Sequence, residues 1–174
     1  MDLSRKGIEP VINIINPVFQ STKGRLYAGT TPLLDFGGNS SAWARLVNPC
    51  SSRVNLFLAY FLFTNSFENP YSVDIIINAA PPGRIFISPD VGNLNSGSDN
   101  RPVGKIQYNP SAEGKPVGGT LIAPRRIPAN STHGFDAGGR AIIAPGTSLL
   151  FFLTSDKPAK AQVELEWWEG KNVF

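Results

Sequence analysis

The chain is short of the residues on which cross-linking and catalysis most often depend. Its 174 residues include one cysteine, Cys50, and one histidine, His133. A single cysteine excludes an intrachain disulfide; it leaves an intermolecular link or a buried, inert thiol, and burial is the expectation. A single histidine, in the loop-like context Asn-Ser-Thr-His-Gly, has no placed partner for a triad or metal site. No apolar run approaches the ~20 residues of a membrane span. Met1 to Pro10 lacks the apolar core of a secretory signal. The expectation is synthesis in the cytoplasm without a signal peptide; a protein of this kind that works outside would leave by cell lysis or another route.

Charge is also sparse. Charged residues make up 17% of the chain, against roughly a quarter in an average soluble domain. The net charge is +3, but the only basic doublets are Arg5-Lys6 and Arg125-Arg126. Neither is interleaved with aromatics, so nucleic acid is not an expected partner. A sustained 3.6-residue period is missing, and 17 glycines and 15 prolines oppose long helices.

What is present is a succession of short apolar runs between turn signals. The C-terminal stretch from Gly139 to Gly170 shows it best. Pro145-Gly146 is suited to a tight turn, and a second, polar turn spans Ser155 to Lys160. Leu149 to Leu153 does not alternate, so both its faces need cover: one from the core, the other from a second layer or another subunit. Ala161, Val163, Leu165 and Trp167 alternate with Gln162, Glu164, Glu166 and Trp168, the period of a half-buried strand. Trp167 is then directed inward. Trp168 is directed outward, where it can bind sugar or pack on a neighbouring subunit.

Arg53 to Thr64 is the longest strand. Simple alternation puts Val54, Leu56, Leu58, Tyr60 and Leu62 on one face and Asn55, Phe57, Ala59, Phe61 and Phe63 on the other. With apolar residues on both faces it should be central. Asp90 to Pro102, Asn109 to Val117 and Pro128 to Gly138 read as loops. Short strands every ten or so residues predict an all-β, jelly-roll-like antiparallel sandwich. Its expected core includes Val54, Leu56, Leu58, Val73, Ile75, Ile77, Leu149, Phe151, Val163, Leu165 and Trp167.

No catalytic, cofactor or metal site is expected. Asp90, Asp99 and Asp136 match no calcium-loop spacing. Glu164 and Glu166 read as solvent-face charges that discourage edge pairing. Gly118-Gly119 and Gly138-Gly139 lack a phosphate-loop context and read as strand-end bends.

The N-terminal region is different. Residues 1–23 read as an arm, and 24–174 as the sandwich domain. Within the arm, Val11, Ile12, Ile14 and Ile15 form a β-branched run between Pro10 and Pro17. Val18 to Lys23 reads as a linker spanning at most ~20 Å. The isolated run invites donation as a strand to another copy; the alternative is an edge strand of its own domain.

The pattern Ile142-Ile143-Ala144-Pro145-Gly146-Thr147-Ser148-Leu149, with the hairpin ending Glu166-Trp167-Trp168-Glu169, resembles the last strands of small bacterial and phage jelly-roll proteins. The whole layout resembles the subunits of Bacillus-type endospore appendages. That resemblance implies a homopolymer fibre built by N-terminal strand donation, placed on a spore or cell surface or in an extracellular assembly, with a surface anchor protein or a carbohydrate as further partner. Unlike the disulfide-linked appendage type, the arm carries no cysteine. A trimeric receptor- or carbohydrate-binding head and a capsid jelly roll are the alternative readings.

Overall fold

A computed structural model describes residues 16–171. In chain order it has one helix, α1 (Asn16–Thr22), and twelve strands: β1 (Leu26–Thr30), β2 (Leu34–Phe36), β3 (Ser41–Val47), β4 (Asn55–Asn65), β5 (Tyr71–Ile77), β6 (Phe86–Ile87), β7 (Val91–Asn93), β8 (Lys105–Ala112), β9 (Thr120–Ile127), β10 (Ser131–Ile143), β11 (Ser148–Thr154) and β12 (Ala159–Gly170). The run Val11 to Ile15 lies outside the described residues.

The strands form two antiparallel sheets. The first has the order β10-β4-β12-β1-β7, with β2 beside the start of β12. The second has the order β6-β8-β3-β11-β5-β9. The chain crosses between them in jelly-roll fashion: β1, β4, β10 and β12 build one layer, and β3, β5, β9 and β11 the other. β4 and β11 are central in their sheets, as expected of strands that are apolar on both faces.

Between the layers lies a core that includes Trp167, Tyr71, Phe63, Phe151, Leu46, Leu56, Leu58 and Ile106, each fully buried. The predicted core residues are buried with two exceptions. Val54 is half-buried at the sheet end, and Ile77 is 40% exposed. The turn at Pro145-Gly146 has the expected form: Thr147 N–H donates to the Ala144 carbonyl at 3.0 Å, and Gly146 has φ 80°.

Three sequence expectations change, and a fourth point, left open between two alternatives, is decided. First, β4 does not alternate throughout. Glu166 pairs with Tyr60 and Trp167 with Leu58, which leaves Ala59 as an extra residue. This β-bulge reverses the parity of the strand. Leu56 and Leu58 face inward before it, and Phe61 and Phe63 after it, while Tyr60 is exposed.

Second, Pro128 to Gly138 is largely strand. Ser131 to Asp136 pairs with Asn65 to Tyr60 as part of β10. Paired Thr64 and Thr132 hydroxyls stand 3.1 Å apart across the ladder, a cross-strand contact that polarity alone disguises as loop. By the same pairing logic, β8 continues to Ala112 and β7 interrupts the loop after Asp90.

Third, Val18 to Lys23 is not an extended linker, because α1 occupies Asn16 to Thr22. Pro17 fits the first helical turn, where its missing N–H costs nothing. Gly24, at φ 62°, ends the helix: its N–H donates to the Ser21 carbonyl, and the Arg25 N–H to that of Gln20. This is the paired bonding of a Schellman cap. A seven-residue helix spans only about 10 Å.

Fourth, the outer face of β11 needs no second subunit. Leu150 and Phe152 pack with Trp43, Ile76, Ala79 and Ala112 in a separate apolar cluster. The chain's own loops seal it. Trp43 Nε1 donates to the Pro82 carbonyl at 2.8 Å, and Ala80 bridges to Val117.

Candidate functional site

Trp168 faces away from the main core, as its alternation with Trp167 requires, yet it is only 4% exposed. Its ring stacks on Phe57 with centroids 5.5 Å apart and planes 7° apart. Leu26 and Ala59 complete the contact. The roof is an excursion of β10: between Asp136 and Ala141, residues 137–140 stand opposite the single Ala59. Gly138 and Gly139 have φ 54° and 76° there, a region glycine enters freely. A Cβ on Gly139 would collide with Cη2 of the Trp168 ring. Arg140 staples the excursion by donating to the carbonyls of Ala137 and Asp136. The exposed ring expected from sequence is therefore covered by the chain itself.

His133 is not in a loop. It lies in β10 opposite Phe63, half-buried at the sheet edge. Cys50 is exposed, contrary to the expected buried thiol, because it follows β3 in the turn beside Gly146. Asp90, Asp99 and Asp136 do not converge: among the described residues no group of three His, Cys, Asp or Glu side chains could hold a metal ion.

The carboxylate that matters structurally is one that the sequence reading does not single out. Glu169 is buried and accepts bonds from the N–H groups of Val103 and Gly104 and from Trp167 Nε1, at 2.8–3.1 Å. It ties the loop before β8 to the end of β12. A neighbouring glycine is the available signal: a Cβ on Gly104 would meet Leu56 and Trp167 within 3 Å. Burial raises the Tyr27 hydroxyl pKa, and the nearby Glu169 charge adds to the rise.

Two surface features of the described residues bear on function. One is the free edge at β9. Leu121 and Ile122 are 54% and 50% exposed, and Val117, just ahead of the strand, is 74% exposed. Ile77 lies across from Thr120 at the same corner. The edge is partly guarded. Pro124 removes one backbone donor, and a register shift falls between the partners of Ala123 and Leu121.

The other is a cleft of about 520 Å³ on the second sheet. The pairs Ala112–Ser41, Ala42–Leu153, Thr154–Ser72 and Ser72–Arg126 run across five strands at this end of the sheet. Loops carrying Asn39, Asn69, Lys115 and Lys157 wall it.

Among the described residues, no helix is long and apolar enough to cross a membrane. No curated protein and no solved structure matches the chain. A family model matches residues 3–173, nearly the whole sequence, and the chain belongs to that family, DUF6143, a family of unknown function.

Proposed function

We propose that the protein is a non-enzymatic structural subunit that assembles with copies of itself, the run Val11 to Ile15 of one copy pairing with the β9 edge of the next. The observation that carries this reading is the apolar corner at β9. Its side chains Val117, Leu121 and Ile122 stand in water beside unpaired backbone groups. A β-branched strand laid along Thr120 to Ala123, ahead of Pro124, covers both. Such a contact is head-to-tail and propagates into a filament unless the rotation closes a ring. Display of that filament on a spore or cell surface rests on the resemblance in layout to endospore appendage subunits.

The structure refines where the arm should be cut. Residues 16–23 are tied to the body: Asn95 Nδ2 donates to the Ser21 carbonyl, and α1 closes with the cap at Gly24. Removing residues 1–15 leaves those bonds intact. The truncated protein is expected to be folded and unable to polymerise. Ile12→Asp/Ile14→Asp disables the donor, and Leu121→Asp/Ile122→Asp the acceptor. Mixed together, these two variants should form one-to-one heterodimers and nothing longer, measured by sedimentation velocity. Filaments from the truncated chain, or a full-length protein that stays monomeric at every concentration, would end this reading.

A further inference from the structure

We infer that the cleft across the second sheet is a binding site for an acidic carbohydrate chain, a hydroxylated polymer bearing carboxylate or phosphate groups. Three cationic side chains line it: Lys115, Arg126 and Lys157. All three are exposed, and none forms an ion pair with a described residue. Asp156 is the one acidic residue in the lining, so the cleft keeps a positive excess. Arg125 beside it is turned to the other side of the sheet, over the Phe135 ring. Arg126 is therefore the member of that doublet directed to the cleft, level with Ser72 and Thr154.

The remaining lining is rich in hydroxyl and amide groups. The side chains of Asn39, Ser72 and Thr154 make no hydrogen bond to any described residue, and Ser72 is half-buried. By contrast, Ser41, Ser155 and Asn69 already bond to backbone carbonyls at 2.9–3.1 Å. Unused donors beside cations suit a ligand with both hydroxyls and anionic groups. A protein partner or a single-stranded nucleic acid would want an exposed aromatic anchor. The two aromatic residues of this lining, Tyr71 and Phe152, are only 0% and 5% exposed. Five strands at 4.7–4.9 Å spacing make the floor about 19 Å long, enough for an oligomer rather than a lone ion.

The test is calorimetric titration of the full-length protein with four probes: a galacturonate tetramer, a glycerol phosphate oligomer, maltotetraose and inorganic phosphate. A fifth titration uses a single-stranded deoxythymidine oligomer. The expected result is binding of one or both anionic oligomers, weakened by added salt, with no heat from maltotetraose. Binding by the galacturonate alone or the glycerol phosphate alone identifies which anion is read. Lys115→Ala/Arg126→Ala should weaken that binding at least tenfold. Arg53→Ala, an exposed cation outside the cleft, should leave it unchanged, and both variants should melt with the wild type because these side chains are exposed. The inference is overturned by equal binding of maltotetraose or of phosphate alone, by tighter binding of the deoxythymidine oligomer, by an unaffected double variant, or by no binding of either anionic oligomer.

Discussion

On the outer face of the second sheet, Trp43, Leu150 and Phe152 are sealed by two loops joined at Ala80 and Val117. On the outer face of the first sheet, Trp168 is sealed by four residues of a neighbouring strand that leave the ladder and return. Both faces carry large apolar side chains away from the main core. Neither needs a second molecule to cover them. The difference lies in what provides the cover. The loop seal rests on packing, one indole hydrogen bond and the paired backbone bonds of Ala80 and Val117, with Gly118 and Gly119 at positive φ just beyond. The strand seal adds a break in register: Gly138 and Gly139, also at positive φ, lie where four residues leave the ladder over the indole. Truncating Leu150 therefore tests the first seal as a cavity, and a methyl on Gly139 tests the second as a clash with the ring it covers.

The largest expected effect compares the two sides of β11. Phe151→Ala removes a fully buried ring from the main core, which packs against Phe61 and Phe63, and should cost about 3–5 kcal/mol. Leu150→Ala opens a cavity in the outer cluster and should cost about 2–5 kcal/mol in the isolated subunit. Urea denaturation of both variants checks this. A Leu150→Ala cost below about 1 kcal/mol would mean that the outer cluster is not a second core.

The strand seal is probed by Gly139→Ala. The new methyl would meet the Trp168 ring, in a backbone conformation that costs a non-glycine residue about 1–3 kcal/mol. The variant should melt earlier and show red-shifted tryptophan emission as the ring becomes wet. Unchanged emission would mean that the excursion can lift without exposing Trp168. Cys50→Ser should by comparison stay within about 0.5 kcal/mol, since the thiol is exposed and outside both seals.

The layers themselves are legible in the sequence because they rest on local signals. Alternation in β12, the double-sided apolar run of β11 and the turn at Pro145-Gly146 each follow from a few adjacent residues. What escapes is set by partners distant in sequence. The bulge at Ala59 reverses β4 only because β12 pairs with it in that register. The polar run Ser131 to Asp136 becomes a strand only beside β4. Trp168 is covered by residues some thirty positions earlier in the chain. The helix α1 is a different case. Asn16-Pro17 and Gly24 frame it in the sequence, but seven residues are too few to show a helical period. Of the two surface features, the basic doublet at Arg125-Arg126 is visible in the sequence. That its two members part to opposite sides of the sheet is fixed only by the pairing of β9 with β5.

The smallest effect sets Glu166 against its neighbour Glu164 on the same face of β12. Glu164 is exposed, whereas Glu166 is half-buried, in register with Ala28 on one side and Tyr60 on the other. Burial holds the Glu166 carboxyl above the usual carboxylate range. The folded protein therefore binds this proton more tightly than the unfolded chain, whose reference value is about 4.3. The contribution of this group to stability is greatest below that unfolded value and is lost as pH rises through the folded one. Glu166→Gln keeps the shape and removes the charge. It should melt slightly later than the wild type at pH 7 and with it at pH 3, and Glu164→Gln should shift neither. Thermal melts of the three proteins across this range decide the matter. Earlier melting of the Glu166→Gln variant at pH 7 would mean that the charge has a favourable partner in the folded state, and that β12 needs it.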